Sequence, residues 1–333
     1  NVSTAATFVA AAAGAQVAKH GNRSVSSSSG SSDVLEALGV NLDVSPEQIT
    51  LCVQEVGLGF MFAPVHHGAM KHAVGPRQEL GLRTLFNVLG PLTNPAKVKR
   101  QVLGVYDSAL CEPLAEVLVR LGTEHALVLH SDDGLDEISI AANTLGYECK
   151  AGEISPIDID PAALGHAHDS LNGLQVETAE HSASLIRSAL GGDEDAVSIK
   201  ARSMITLNAG AGIYVSGVAD SLASGITAAE KAMASGAAAQ KLEAFVAFTQ
   251  ALAQEQGGAP AGRRPHRAAA HARGARKKTT RKKNCTPKRH EISCGGQAGC
   301  NEAVDGKSHA GTRQIESQTR GRQSFQERRR TQH

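Results

Sequence analysis

The chain concentrates its chemically competent side chains in a few short stretches. The densest runs from Lys19-His20-Gly21-Asn22-Arg23 through Ser24-Val25-Ser26-Ser27-Ser28-Ser29 to Gly30-Ser31-Ser32-Asp33, where two cations, an imidazole, an amide, two glycines and seven hydroxyls occupy residues 19–32. None of these residue types builds a core. Backbone N–H groups freed by glycine, hydroxyls and cations together suit a phosphate-rich anion held near a helix N-terminus, whereas a Ser-rich linker is the bland alternative. Ser3 and Thr4, at the head of an alanine-rich run, put hydroxyls where an anion is stabilised or, more simply, where an N-cap belongs. The acidic loop His130-Ser131-Asp132-Asp133-Gly134-Leu135-Asp136-Glu137 contains Asp136-Glu137, a pair able to hold hydrated Mg²⁺ through one or two carboxylates plus substrate oxygens; solvated surface is the other reading. Arg77 and Arg83 flank an apolar helical pattern, and either could form an ion pair or a bidentate carboxylate clamp. His66, His67 and His72 have no acidic partner nearby and read as substrate-facing or exposed imidazoles rather than a zinc site.

These groups need elements to carry them. The run Ala5–Ala13 with Phe8 and Val9 predicts a buried helix ended by Gly14, and Ala15–Ala18 predicts a short strand delivering Lys19 to Asn22 at its carboxyl end, where ligands bind in α/β sheets. Helical spacing covers Asp33–Gly39 and Pro46–Val56, with Ser45-Pro46 as the start signal of the second. Phe60–Phe62 reads as a strand. Gln101–Tyr106, Ser108–Leu121 and Glu124–His130 predict strand, helix and strand, a spacing that implies parallel pairing. Tyr147–Ile159 predicts one or two strands, followed by helices at 183–190, 196–215, 228–234 and 238–253. The expected fold class is α/β, with a mostly parallel central sheet flanked by helices.

Charge divides the chain. Residues 257–333 hold 19 Lys+Arg against 5 Asp+Glu, a formal +14, so the total of +1 leaves −13 for residues 1–256. The basic segment has Ile292, Val304, Ile315 and Phe325 as its large apolar residues and cannot fold on burial alone. It reads as translation out of frame or a solvated linker; a nucleic-acid-binding arm is the less favoured interpretation. The expected organisation is a catalytic domain over 1–256, with 64–95 a helical cap-like part, and a basic tail over 257–333. No apolar run reaches membrane-spanning length and no signal peptide is indicated, so a cytoplasmic protein with reduced cysteines is expected.

Taken in order, Asn1-Val2-Ser3-Thr4, the Lys19–Ser27 stretch with Gly30-Ser31-Ser32-Asp33, Arg77, the segment Arg83-Thr84-Leu85-Phe86-Asn87-Val88-Leu89-Gly90-Pro91-Leu92 through Asn94-Pro95, and His130 with Asp136-Glu137 resemble the anthranilate phosphoribosyltransferases over about residues 1–255. The Lys-His-Gly-Asn-Arg element is shared with the related pyrimidine nucleoside phosphorylases, which stay open as an alternative, as does a non-catalytic polyanion-binding protein of the same fold. The resemblance implies transfer of the phosphoribosyl group of 5-phosphoribosyl 1-diphosphate to the amino group of anthranilate, with Mg²⁺, by a homodimer of nucleoside phosphorylase-like fold. It implies that Asn1, Val2, Ser3, Thr4, Lys19, His20, Gly21, Asn22, Arg23, Ser24, Val25, Ser26, Ser27 and Ser31 contact the phosphoribosyl diphosphate. Ser3, Asp136 and Glu137 would reach the metal; Asn22 and Arg77 would hold anthranilate, with His20 and His67 as lesser candidates. No residue is required as a general base.

The family pattern also includes a glycine-rich loop before the Asn-x-Ser-Thr element and, earlier still, most of a small helical domain carrying much of the dimer interface. This chain begins after both. It also has Ser28 where lysine is frequent and Gly68 where proline is usual. The expectation is weak substrate binding and slow or no turnover.

Overall fold

In the computed structural model the described residues are 1–23, 29–63 and 86–257, all within one compact unit. The chain opens with helix α1 (Val2–Ala12), whose Ala5, Phe8 and Val9 are fully buried. Its end explains where the first strand starts. Gly14 takes a left-handed φ of 102° and the Ala15 amide donates back to the Ala10 carbonyl, so Ala15 still belongs to the helix cap. Strand β1 therefore spans Val17–Gly21, not residues 15–18, and Lys19, His20 and Gly21 lie inside the strand instead of after it. It pairs in parallel with β2 (Leu58–Phe62), Lys19 opposite Phe60.

Between them come α2 (Ser31–Ala37) and α3 (Pro46–Val56). Ser45 and Gln48 form a reciprocal capping box around Pro46, and Gly57 closes α3 with a φ of 82°, as the Ser-Pro signal predicts. Helix α4 (Phe86–Leu92) is the described part of the expected 64–95 helical region; residues 64–85 lie outside the described residues.

The second sheet has the order β3 (Arg100–Gly104), β4 (His125–Ser131), β5 (Thr144–Lys150), β6 (Glu153–Ile159). A short 3₁₀ turn at Ser108–Leu110 and helix α5 (Cys111–Arg120) make the crossover between β3 and β4, which pair in parallel. The α/β class stands, but the expectation of a mostly parallel sheet is corrected to a mixed one, because β5 and β6 both return antiparallel. The reason is local. Ala151 and Gly152 have φ of 53° and 86°, the paired left-handed conformation that closes a two-residue hairpin with the strands' own twist. Pro156 is tolerated because β6 is the edge strand of this sheet among the described residues.

Strand β4 shows how the layers form. Leu127 and Leu129 face one cluster with Ile138, Ile140, Met204 and Leu207, while Ala126 and Val128 face another with Leu114, Ala115 and Leu118 of α5. Alternate side chains are thus buried on both faces, as period 2 requires of a central strand. Helices α6 (Ala179–Gly191), α7 (Ala196–Ser216), α8 (Leu222–Ala234) and α9 (Ala237–Gly257) complete the unit. α7 and α8 approach at glycines: a Cβ on Gly225 would lie 2.3 Å from the Gly210 carbonyl oxygen. Among the described residues no helix is long and apolar enough to cross a membrane.

Candidate active site

The first turn of α1, the carboxyl half of β1 and the loop after β4 converge. The Ser3 backbone N–H donates to Glu137 Oε1 at 3.2 Å, across 134 positions of sequence, so a carboxylate from the acidic loop covers a free amide at the α1 N-terminus. Lys19 Nζ donates to Ser3 Oγ at 3.1 Å. Asn1 Oδ1 accepts from the Thr4 hydroxyl at 2.5 Å and from the Ser31 hydroxyl at 3.4 Å, which joins α1 to the head of α2. Ser3, Lys19 and Glu137 therefore form one bonded group, and Asn1, Thr4 and Ser31 a second on the same first turn of α1. Val2 instead sits partly buried against the apolar cluster beneath α7.

The electrostatics of this group are unfavourable by themselves. Loss of solvent around Glu137, aggravated by the neighbouring Asp136 carboxylate and opposed by Lys19, pushes its pKa up to about 7. Desolvation likewise pushes Lys19 down to about 8, with Glu137 opposing. Asp136 is exposed. Two carboxylates and a hydroxyl are hard oxygen donors. Among the described residues no group of three His, Cys, Asp or Glu could hold a metal ion. The donors fit Mg²⁺, which takes few protein ligands and completes its shell with water and substrate oxygens.

Neighbouring residues hold the strands and loops in place. Gly21 lies close under Phe60 and Ser31: an added Cβ would be 2.9 Å from the Phe60 ring. Arg23 is already committed, with both guanidinium nitrogens on Glu36 at 2.6 and 2.7 Å and one on Asp33 at 3.1 Å, above the Phe62 ring. Asp33 in turn accepts from the Gly30 N–H at 2.9 Å. Asn22 is exposed and its side-chain oxygen accepts from the Arg23 amide. His130 bonds the Val105 carbonyl through Nδ1 at 2.8 Å, a tie between strand ends. Ser24, Val25, Ser26, Ser27, Arg77 and His67 lie outside the described residues.

Three further residues, to which the sequence assigns no site role, contribute; Asn94 is named there only as part of the resemblance. Asn94 Nδ2 donates to the Ala18 carbonyl at 3.0 Å, pinning the Asn94-Pro95 turn against β1. Gly104 ends β3 under the acidic loop, where a Cβ would fall 1.5 Å from the Asp136 carbonyl oxygen. Asn208 of α7 bonds the backbone of Ile138. A glycine within a strand pattern and one amide in the apolar stretch 204–209 were the available signals. Asp133, by contrast, serves the loop itself, accepting from the Ser139 hydroxyl at 2.5 Å and the Leu135 N–H at 3.3 Å.

Fold and site define an α/β-domain glycosyltransferase. Residues 1–239 match the family described as glycosyl transferase family, a/b domain. The chain is 59% identical over 252 residues to an anthranilate phosphoribosyltransferase of Cellvibrio japonicus, covering 76% of this chain and 74% of that protein. It is 58% identical over 255 residues to that of Azotobacter vinelandii, covering 77% and 73%. The crystal structure of the Thermus thermophilus enzyme superposes with a TM-score of 0.69 at 42% identity, over 75% of this chain and 73% of the other. The Saccharomyces cerevisiae enzyme in complex with phosphoribosyl diphosphate and Mg gives 0.66 at 27% identity, over 75% and 70%. The chain belongs to the anthranilate phosphoribosyltransferase family.

Proposed function

We propose that this protein transfers the phosphoribosyl group of 5-phosphoribosyl 1-diphosphate to the amino group of anthranilate, releasing pyrophosphate, in the cytoplasmic synthesis of tryptophan. The observation that carries the reading is the meeting of Ser3, Lys19 and Glu137 at the N-terminus of α1. Catalysis is assigned to residues 1–256; the segment 257–333 is given no part in the chemistry.

In this reading the first turn of α1, from Asn1 to Thr4, faces the diphosphate with its N–H groups and hydroxyls, and Lys19 contributes a cation. His20, Gly21 and Asn22 continue the cradle, Ser24 to Ser27 extend it, and Ser31 reaches it from α2. Arg23 holds the cradle to α2, since its guanidinium already bonds Asp33 and Glu36. Ser3, Asp136 and Glu137 would hold Mg²⁺, which when bound offsets the charge building on the leaving diphosphate. Arg77 takes the anthranilate carboxylate and Asn22 its amino side.

The C1′–N bond forms as the C1′–O bond to diphosphate breaks, and the leaving group departs with that electron pair. The amine proton passes to solvent after the ribose charge is quenched, so positioning and charge complementarity do the catalytic work without a general base.

The test is loss of anthranilate fluorescence with phosphoribosyl diphosphate and Mg²⁺, using protein expressed from its own gene. Slow loss that disappears in Arg77→Ala is expected. A folded protein that leaves anthranilate unchanged but cleaves thymidine with phosphate would overturn the reading in favour of a nucleoside phosphorylase.

A further inference from the structure

The acidic loop whose Glu137 meets α1 is held at backbone level from both sides. On the α7 side, Asn208 Oδ1 accepts the Ile138 N–H at 3.0 Å and Asn208 Nδ2 donates to the Ile138 carbonyl at 2.9 Å. One amide side chain thus does what a neighbouring strand would do, satisfying both backbone polar groups of Ile138, the residue after Glu137. The same Nδ2 also donates to the Met204 carbonyl at 2.9 Å, one turn back along α7, which fixes the side chain to its own helix. On the other side Gly104 packs against the Asp136 carbonyl with no room for a methyl group. Ile138 itself is fully buried and anchors the apolar cluster, so a shift there would move the loop as a body.

We propose that Asn208 is a positioning residue for the transfer reaction: by gripping the N–H and the carbonyl of Ile138 it fixes the backbone after Glu137 and aims that carboxylate at Ser3. The residue touches no substrate. Its action is that of an outer-shell group that orients a carboxylate, whose loss typically weakens metal binding about 10–100-fold. The proposal rests on the phosphoribosyl-transfer reading for its kinetic consequence but not for its structural one.

The experiment therefore has two arms on Asn208→Leu, with Asn208→Ala read in its place should the leucine variant not fold. Hydrogen exchange of the free protein, followed by mass spectrometry, is expected to show exchange about 10-fold faster in the peptide covering 132–143, with β1 and α5 unchanged. Steady-state transfer is expected to need about 10-fold more Mg²⁺ for half-saturation, with the KM for anthranilate unchanged. Unchanged exchange in 132–143, or exchange accelerated throughout the fold, would overturn the proposal. So would local loosening with a wild-type Mg²⁺ requirement, which would make Asn208 a structural tie only. If the wild-type protein performs no transfer, the functional reading fails, while the exchange arm still decides whether Asn208 holds the loop.

Discussion

The two ends of strand β4 carry similar inventories of charge and use them in opposite ways. At its amino end, His125 is buried and bonds Glu148 Oε1 at 2.8 Å; the Tyr214 hydroxyl donates to the same oxygen at 2.6 Å, and Lys150 reaches that hydroxyl at 3.2 Å. Arg100 donates to the Val215 carbonyl and pairs with Glu124. Arg100 thus has an anion and a carbonyl, and Lys150 meets a hydroxyl that itself bonds the Glu148 carboxylate. At the carboxyl end, Asp136 and Glu137 crowd one another, and Lys19 donates to the Ser3 hydroxyl and to neither carboxylate. The first arrangement is complete; the second is improved by a further ion. Helix α7 serves both, lending Tyr214 to one end and Asn208 to the other, so the difference lies in the partners supplied and not in the scaffold. Like-charged carboxylates crowded together suit a site that binds a cation, whereas His125, also perturbed by burial, already has Glu148 as its partner.

The largest expected effect breaks the comparison at the carboxyl end. Glu137→Gln should lower kcat/KM by roughly 10²–10³, as loss of a charged group acting in the transition state does. Stability should move the other way. A carboxyl whose folded pKa is raised to about 7 contributes stability only while protonated, and that contribution is lost as pH rises through the folded value. The neutral amide should therefore unfold at higher denaturant at pH 8, by on the order of 1 kcal/mol, the shift being discounted for a half-buried group. A variant both inactive and less stable would mean that Glu137 belongs to the structural kind.

Gly104→Ala comes next. Displacing the Asp136 carbonyl should cost about 1–3 kcal/mol of stability and, through the loop, about 10-fold or more in kcat/KM, read by urea unfolding and steady-state assay. Unaltered activity in a destabilised protein would show that the loop tolerates movement.

At the amino end the signs should separate. Tyr214→Phe removes a hydrogen bond to a charged acceptor and should cost about 1.5–3 kcal/mol in urea unfolding with wild-type transfer rates. Lowered activity would show that the two ends communicate through α7.

The smallest effect is a pH dependence. Burial holds the His125 pKa below the ordinary imidazole value of 6.5 despite Glu148. The unfolded chain then binds the proton first, so stability falls as pH drops below about 6.5 and continues to fall until the folded imidazole is itself protonated. A melting-temperature series from pH 7.5 to 5.5 should show this decline, shallower in His125→Asn; equal slopes would remove His125 from the cause.

Much of this was legible in the chain. The Ser45-Pro46 start of α3 and the crossover through α5 follow from local rules about caps, proline and periodicity, and they appear where expected, to within a residue or two at most boundaries. The α/β class and the family resemblance over about residues 1–255 were likewise readable from the order of the motifs. The start of β1 was displaced by two residues because Ala15 bonds back into the α1 cap, which apolar periodicity does not register. The antiparallel return of β5 and β6 was hidden because Ala151-Gly152 is a weaker turn signal than Asn-Gly, and its left-handed pair shows only in the backbone.

The sequence by itself determined which residue types were available for anion and metal chemistry, and the local elements that carry them, because caps, glycines and hydrophobic periods act over a few residues. Only the tertiary structure decided how the acids and cations divide their work. Asp133 turns inward to its own loop, Arg23 is bound to Asp33 and Glu36, and Glu137 crosses 134 positions to meet Ser3. Those assignments depend on packing between distant segments, where desolvation and like-charge proximity set the energy of each group, and no local pattern encodes either.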